Sequence, residues 1–95
     1  MTLEELLEEV QHVPMTTIPV ATLKLLGSDI LLEEERVLNA DLNHPVIVLY
    51  KRGVLHRIVD GNHRAEKAHR AGVRELPCRK LLWKNLSSRA KRIFG

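Results

Sequence analysis

Residues 58–72 read IVDGNHRAEKAHRAG, and in this segment an apolar strand runs directly into a helix. Ile58 and Val59 end the strand, and Asp60-Gly61 is a turn signal between the two elements. The helix should end at Ala71-Gly72, because glycine fits the left-handed position that follows a helix. Small residues recur on one side of this helix and would let it lie close on a sheet.

The start of that helix has the chemistry of an anion site. The first backbone amides of a helix have no intrahelical acceptor and carry the positive end of the helix dipole. Gly61 would let a ligand approach the backbone, and Asn62, His63 and Arg64 follow directly. Arg64 can bind two phosphate oxygens, and His63 can donate a hydrogen bond in either charge state. Asp60 could cap the helix, orient His63 or hold a magnesium ion that accompanies phosphates.

A simpler alternative explains the same residues without a ligand. In a capped helix, Asp60 and Arg64 would pair only with one another, since a strand-to-helix turn containing Asp-Gly requires no bound group. The combination of Gly61, His63 and Arg64 within four residues favours the anion site.

The flanking segments predict the rest of a sheet. Pro45–Tyr50 and Val54–Val59 are apolar runs separated by the turn residues 51–53, which is a hairpin signal. Leu76–Leu82 predicts a further strand. Residues 54–82 have the length of a strand-helix-strand crossover, so we expect the strands at its two ends to be parallel and the sheet to be mixed.

Local patterns predict four further elements. Thr2-Leu3-Glu4-Glu5 is a capping box, after which apolar residues recur at helical spacing as far as Val10. The other three are an edge strand over Thr16–Leu23 that contains Pro19, a short helix over Ile30–Ala40 with apolar Leu31, Leu32, Val37 and Leu38, and a short basic helix from Ser87 or Ser88.

Composition predicts one small domain without a membrane span. The chain has 95 residues, of which 44% are apolar and 28% charged, and its N-terminus is acidic where a secretory signal would be basic. We therefore expect a cytoplasmic protein with no membrane contact. The lone cysteine, Cys78, excludes an internal disulfide and is best explained as a buried side chain. His63 and His69 are six residues apart on different helix faces, so no zinc motif results.

Charge is distributed unevenly along the chain. Residues 1–41 carry two basic and nine acidic side chains, residues 42–73 six and two, and residues 74–95 seven and one. Either the acidic part shields a basic surface, or the basic part meets phosphates on a nucleotide or nucleic acid. The basic C-terminal residues that could contact a DNA or RNA backbone include Lys84, Arg89, Lys91 and Arg92.

Three segments together resemble the ParB/sulfiredoxin superfamily: NHPVIV at 43–48, HRIVDGNHR at 56–64 and AHRAGVRELPC at 68–78. The resemblance covers roughly residues 13–82. It implies a small α/β domain. Together with the local patterns, we expect an α/β (α+β) domain with a small mixed sheet and packed helices over residues 1–82, which includes the N-terminal amphipathic helix, and a basic tail or short helix at 83–95. The resemblance also implies that a Gly-x-(His/Arg)-Arg segment at a helix start binds nucleotide phosphates, and Gly61, His63 and Arg64 fall on that segment.

Departures from the family pattern bear on which of the family's activities this chain could have. Sulfiredoxins place their catalytic cysteine directly after this glycine, whereas this chain has Asn62, so it should not be a sulfiredoxin. ParB partition proteins have a box richer in arginine, and His63 and Glu66 replace arginines here. The Asp-Gly-x-His-Arg form is closer to the free serine kinases of the superfamily, whose larger substrate domain has no room in 95 residues.

Three functions follow as expectations. The first is a ParB-like domain that binds ATP, ADP or CTP with Mg²⁺ and associates with DNA, with weak nuclease activity as an option. The second is a phosphotransferase or nucleotide hydrolase, in which His63 and Asp60 are catalytic and an upstream glutamate, among Glu33, Glu34 and Glu35, helps to organise the magnesium ion. Those glutamates are more simply a solvated helix face. The third is a non-catalytic module that binds or inhibits a protein partner.

Overall fold

The computed structural model describes residues 3–26 and 32–94. The described elements, in chain order, are α1 (Leu3–Val10), β1 (Met15–Pro19), α2 (Val20–Leu25), α3 (Glu34–Asn39), β2 (Val46–Lys51), β3 (Val54–Asp60), α4 (Asn62–Arg70), β4 (Glu75–Leu82), a 3₁₀ turn (Trp83–Asn85) and α5 (Ser88–Phe94). The capping side chain predicted at Thr2 and the apolar Leu31 lie outside the described residues.

The described strands form one mixed sheet in the order β1-β4-β2-β3. β2 and β3 are an antiparallel hairpin, β2 and β4 are parallel, and β1 lies antiparallel on the outer side of β4. The mixed sheet confirms the expectation from the sequence. Pro19 ends β1 at the edge of the sheet, where its missing amide leaves no ladder bond unmade.

Helices cover both faces of the sheet, and β2 contributes alternate residues to two cores. On one face Val46 and Val48 pack with buried residues of β1, β4, α2 and α4. On the other face Ile47 and Leu49 pack with Val10 of α1 and with α5. The molecule is thus a small compact α/β protein whose central strand is buried on both sides.

Local signals located three element boundaries correctly. Arg52 and Gly53 both have positive φ, 55° and 77°, which is the backbone of the two-residue turn that fits a twisted hairpin. Gly72, at φ 71°, follows α4, and the amide of Val73 donates to Ala68 across the helix end at 2.9 Å. Ser87 accepts a hydrogen bond from the Ala90 amide at 3.1 Å and caps α5.

The prediction that the strands flanking α4 form a parallel pair is wrong. β4 pairs in parallel with β2, while β3 pairs antiparallel with the other side of β2, so β3 and β4 run in opposite directions. α4 has nine residues and rises about 13 Å, whereas the seven residues of β3 span about 23 Å. The helix therefore carries the chain across one end of the sheet instead of back along its length.

Two other expectations need correction. The predicted strand over Thr16–Leu23 stops at Pro19, and the chain then forms α2. Val20 and Leu23 are both buried, and a spacing of three places both on one side of a helix but on opposite faces of a strand. In α3, Val37 is buried as expected, but Leu38 is 63% exposed because the six-residue helix presents only one narrow face to the core.

No helix in the described ranges has the length and apolar content needed to cross a membrane.

Candidate functional site

The turn between β3 and α4 is shaped by contact with β2. Gly61 is buried, precedes the first residue of α4 and has φ 113°. A Cβ atom at Gly61 would lie 2.6 Å from Cγ1 of Val46, which is far inside van der Waals contact. The glycine is therefore required by its backbone angle and by the close approach of the first residue of β2.

α4 begins without a side-chain cap. Asp60, for which capping was one predicted role, instead points its carboxylate at Arg64. The backbone amides of Asn62, His63 and Arg64 have no acceptor among the described residues, because the first intrahelical bond is donated by Ala65. Three donors and the positive end of a nine-residue helix are thus available at this point.

The side chain of Arg64 is held by two neighbours. Its Nη1 donates to the carbonyl oxygen of Pro45 at 3.2 Å and lies 3.4 Å from Oδ2 of Asp60. The pair that the simpler alternative required is therefore present. Within the described part of the chain, however, Nε and Nη2 of Arg64 have no partner, so the guanidinium keeps donors for a further acceptor.

A cleft of about 320 Å³ opens at the start of α4. Asp60, Gly61, His63 and Arg64 form one wall, so the structure brings together these four of the five residues singled out in the sequence; Asn62 is not part of the lining. The opposite wall comes from the end of α3 and the turn after it: Arg36, Asn39, Ala40 and Asp41.

Arg36 and Asp41 were not predicted from the sequence. Asp41 lies in a tight turn, where its Oδ1 accepts from the amide of Asn43 at 2.9 Å and its Oδ2 lies 3.3 Å from Nε2 of His44. The turn residues Asp41-Leu42-Asn43 signal a loop, but no local pattern indicates which part of the molecule that loop faces. The side chain of Arg36 has no partner among the described residues.

Contacts between α3 and α4 fix the width of the cleft. Nζ of Lys67 donates to the carbonyl oxygens of Leu38 and Ala40, at 2.9 and 2.7 Å. Further along, Arg70 binds both carboxylate oxygens of Glu34, at 2.5 and 3.0 Å. Lys67 thus ties the end of α3 to the middle of α4, and Arg70 ties the first residue of α3 to the last residue of α4. The residues that follow α3 therefore lie beside the start of α4 and line the same cleft.

The upstream glutamates lie outside the cleft. The hydrogen bond from Arg70 holds the pKa of the Glu34 carboxyl below its usual range, and Glu34 raises the pKa of Arg70 in return. Glu33 and Glu35 are exposed and do not line the cleft. The carboxylates that do line it are Asp41 and Asp60.

His63 contains an unusual buried atom. Its Nε2 is inaccessible to solvent and has no hydrogen-bond partner among the described residues. Leaving a buried polar atom unpaired costs about 1–3 kcal/mol. His63 also lines the cleft, so its imidazole lies beside the start of α4 with this nitrogen unpaired.

The donor set fits a nucleoside phosphate with magnesium. Amides and guanidinium groups bind phosphate oxygens, and Arg36 and Arg64 lie on the two walls of the cleft. Mg²⁺ is usually held by one or two carboxylates together with phosphate oxygens and water, and Asp41 and Asp60 supply two carboxylates. Within residues 3–26 and 32–94, no three His, Cys, Asp or Glu side chains form a metal-binding group.

The basic C-terminal residues lie at the other end of the sheet. Gly61 contacts Val46 at the start of β2, whereas Trp83 follows Leu82, which pairs with Tyr50 near the end of β2. Lys84 and Arg92 are exposed, Nη2 of Arg89 is 3.9 Å from Oε2 of Glu5, and Nζ of Lys91 is 6.0 Å from the centroid of the Trp83 ring. Trp83 and Lys84 are therefore separated from the cleft by the length of β2, and α5 packs on the face of the sheet opposite α4.

Comparisons of the chain with protein-family models, with curated proteins and with solved structures found no match.

Proposed function

We propose that the protein binds a nucleoside di- or triphosphate with Mg²⁺ in the cleft between α3 and α4, as a member of the ParB/sulfiredoxin superfamily. The observation that carries the proposal is the uncapped start of α4, which opens into a cleft with an arginine on each wall. At about 320 Å³, this cleft is near the lower end of the range for ligand pockets. It has room for the phosphates, while much of the base would remain outside.

The phosphates would be bound by groups that are already in position. The amides of Asn62, His63 and Arg64 donate to the phosphate nearest the helix, where the dipole adds to the attraction. Arg64 is held by Pro45 and Asp60, so little side-chain entropy is lost when its remaining donors bind. Arg36 lies on the facing wall and closes the site around the second phosphate.

Asp41 and Asp60 would hold a magnesium ion that accompanies the phosphates. Only Oδ2 of Asp60 lies within 3.4 Å of Arg64, so its other carboxylate oxygen is available to the ion while the pair with Arg64 is kept. The catalytic alternatives, a phosphotransferase or nucleotide hydrolase and a weak nuclease, would use the same carboxylates, with His63 beside them. The observation that bears on these alternatives is that both carboxylates and the unpartnered histidine line one cleft.

Calorimetric titration of the protein with ATP, ADP and CTP, each with magnesium chloride, tests the proposal. Arg36→Gln should weaken binding about tenfold or more, because a charge-assisted hydrogen bond contributes about 1.5–3 kcal/mol. This variant is the sharper test, since Arg36 is exposed and makes no hydrogen bond or ion pair with a described residue. Arg64→Gln should weaken binding at least as much, but it also removes the bond to Pro45.

Arg92→Gln is the matched control, because it removes the same charge from an exposed position on α5, which packs on the face of the sheet opposite α4. Unchanged binding in this control and weaker binding in Arg36→Gln would support the proposal. No heat of binding with any of the three nucleotides, or equal affinities for all the variants, would contradict it. Release of inorganic phosphate that is lost in Asp60→Asn would select the catalytic alternative, whereas capture of a protein that also binds Arg36→Gln would favour the non-catalytic module.

A further inference from the structure

The end of the sheet opposite the cleft is a cationic surface built around Trp83. Nζ of Lys51 lies 4.5 Å from the centroid of the Trp83 ring, and Nζ of Lys91 lies 6.0 Å from it. Arg52 follows Lys51 in the hairpin turn, and Lys84 follows Trp83. We call these five residues the Trp83 surface.

No carboxylate in the described part of the chain pairs with the lysines of this surface. The segments that build it, residues 46–59 and 76–94, contain nine lysines and arginines and no aspartate or glutamate. The acidic helix α1 reaches one side of α5, where Glu5 lies 3.9 Å from Arg89. Lys51, Lys84 and Lys91 have no carboxylate partner among the described residues. The shielding expected from the acidic N-terminal half thus reaches Arg89, while the Trp83 surface stays positively charged.

Two ammonium groups lie beside one indole ring, and no described carboxylate pairs with either of them, so an anion that approaches both would be attracted to this surface. Lys51 and Lys91 lie beside the ring, whereas Arg52 belongs to the hairpin turn and Lys84 to the 3₁₀ turn, so the positive charge extends beyond the ring. Such a spread suits a long anion with regularly spaced charges better than a small ligand. The ring face of Trp83 already contacts lysine, so stacking of a base is not the main contact.

We propose that the Trp83 surface binds the phosphodiester backbone of nucleic acid, without base-specific contacts. Arg52 is consistent with this role, because it has φ 55° at a turn position that favours asparagine or glycine, yet it presents a guanidinium at the tip of the hairpin. The proposal is independent of nucleotide binding in the cleft, because the two sites lie at opposite ends of β2.

Fluorescence anisotropy with a labelled DNA duplex of about 20 base pairs tests this proposal, over a series of salt concentrations. The double variant Lys84→Gln/Lys91→Gln should bind about tenfold or more weakly than wild type near 0.1 M salt. It should also reduce the slope of log affinity against log salt concentration by about 2. Duplexes of unrelated sequence should bind equally well. The same measurement with a single-stranded DNA shows which form of the backbone is preferred.

Lys24→Gln/Arg74→Gln is the matched control, because it removes two exposed positive charges from the surface between α2 and the residue before β4. Far-ultraviolet circular dichroism shows whether each variant keeps its fold, since the Lys91 substitution itself changes the surroundings of the Trp83 ring. Equal loss of binding in the two double variants, or no binding by wild type at low salt, would overturn the proposal. Binding to vesicles of phosphatidylserine and phosphatidylcholine without binding to the duplex would overturn it in favour of a membrane surface.

Discussion

Gly61 connects the packing of the sheet to the geometry of the candidate site. Its positive φ turns the chain from β3 into α4, and its missing side chain leaves space for Val46. The same turn leaves three amides unbonded at the start of α4, and two of them belong to His63 and Arg64, which line the cleft. A glycine that the sequence suggested for ligand access therefore has a demonstrable structural role in holding the start of α4 against β2.

Gly61→Ala should destabilise the fold by about 2–4 kcal/mol, because strained backbone and overpacking against Val46 act together. Gly72→Ala is the matched control. Gly72 also has a positive φ, 71°, but an added Cβ would meet no atom within 4 Å. Gly72→Ala should lower the free energy of unfolding by only about 1 kcal/mol. Urea unfolding measures both values, and equal losses in the two variants would show that contact with Val46 is unimportant.

The buried thiol of Cys78 should cause the stability of the fold to decline at alkaline pH. Its side chain is fully buried, and burial raises the pKa of the thiol. The thiol of an unfolded chain ionises at about pH 8.5, whereas the buried thiol of the folded chain stays neutral to a higher pH. Its contribution to stability is therefore complete below that pH and declines as the pH rises above it.

The measurement is the difference in unfolding free energy between wild type and Cys78→Ala, followed from about pH 7 to pH 10. Other titrating groups cancel in this difference. We expect this difference to be constant at neutral pH. Above about pH 8.5, wild type should lose stability relative to Cys78→Ala. A difference that stays constant to the highest pH would mean that the thiol ionises equally in the folded and unfolded chains.

The sequence predicted best those element boundaries that are determined by residues close together in the chain. The hairpin turn at Arg52-Gly53, the glycine after α4 and the serine before α5 each satisfy backbone groups a few residues away. Strand order could not be predicted in this way, because the pairing of β4 with β2 depends on how α4 crosses the sheet. The second wall of the cleft was missed for the same reason, since Lys67 and Arg70 bring α3 into place across long sequence separations.

The cap of α5 is the clearest test at the scale of an element. Ser87→Ala should lower the free energy of unfolding by about 1 kcal/mol, because the Ala90 amide loses its acceptor. Ser88→Ala is the control, since Ser88 is exposed and makes no such bond. It should change stability by less than about 0.5 kcal/mol. Thermal unfolding followed by Trp83 fluorescence compares the variants, and a larger loss in Ser88→Ala would contradict the assignment of the cap.

At the scale of the whole molecule, the two candidate binding surfaces lie at opposite ends of the sheet. The cleft lies where β2 begins, with two arginines and two aspartates on its walls. The Trp83 surface lies where β2 ends, and the segments that build it carry no carboxylate. The molecule extends 37 Å along its longest axis and 25 Å along each of the others. Ligands at the two ends need not compete, and nucleotide and nucleic acid could be bound at the same time.

The most direct measurement is a nucleotide titration followed through the backbone amide signals of ¹⁵N-labelled protein. The proposal predicts that ADP, ATP or CTP with Mg²⁺ shifts the amides of Asn62, His63 and Arg64 most, because these are the donors left unbonded at the start of α4. The indole signal of Trp83 should stay in place. Saturation by nucleotide with these three amides unmoved, or with the main shifts around Trp83, would contradict it.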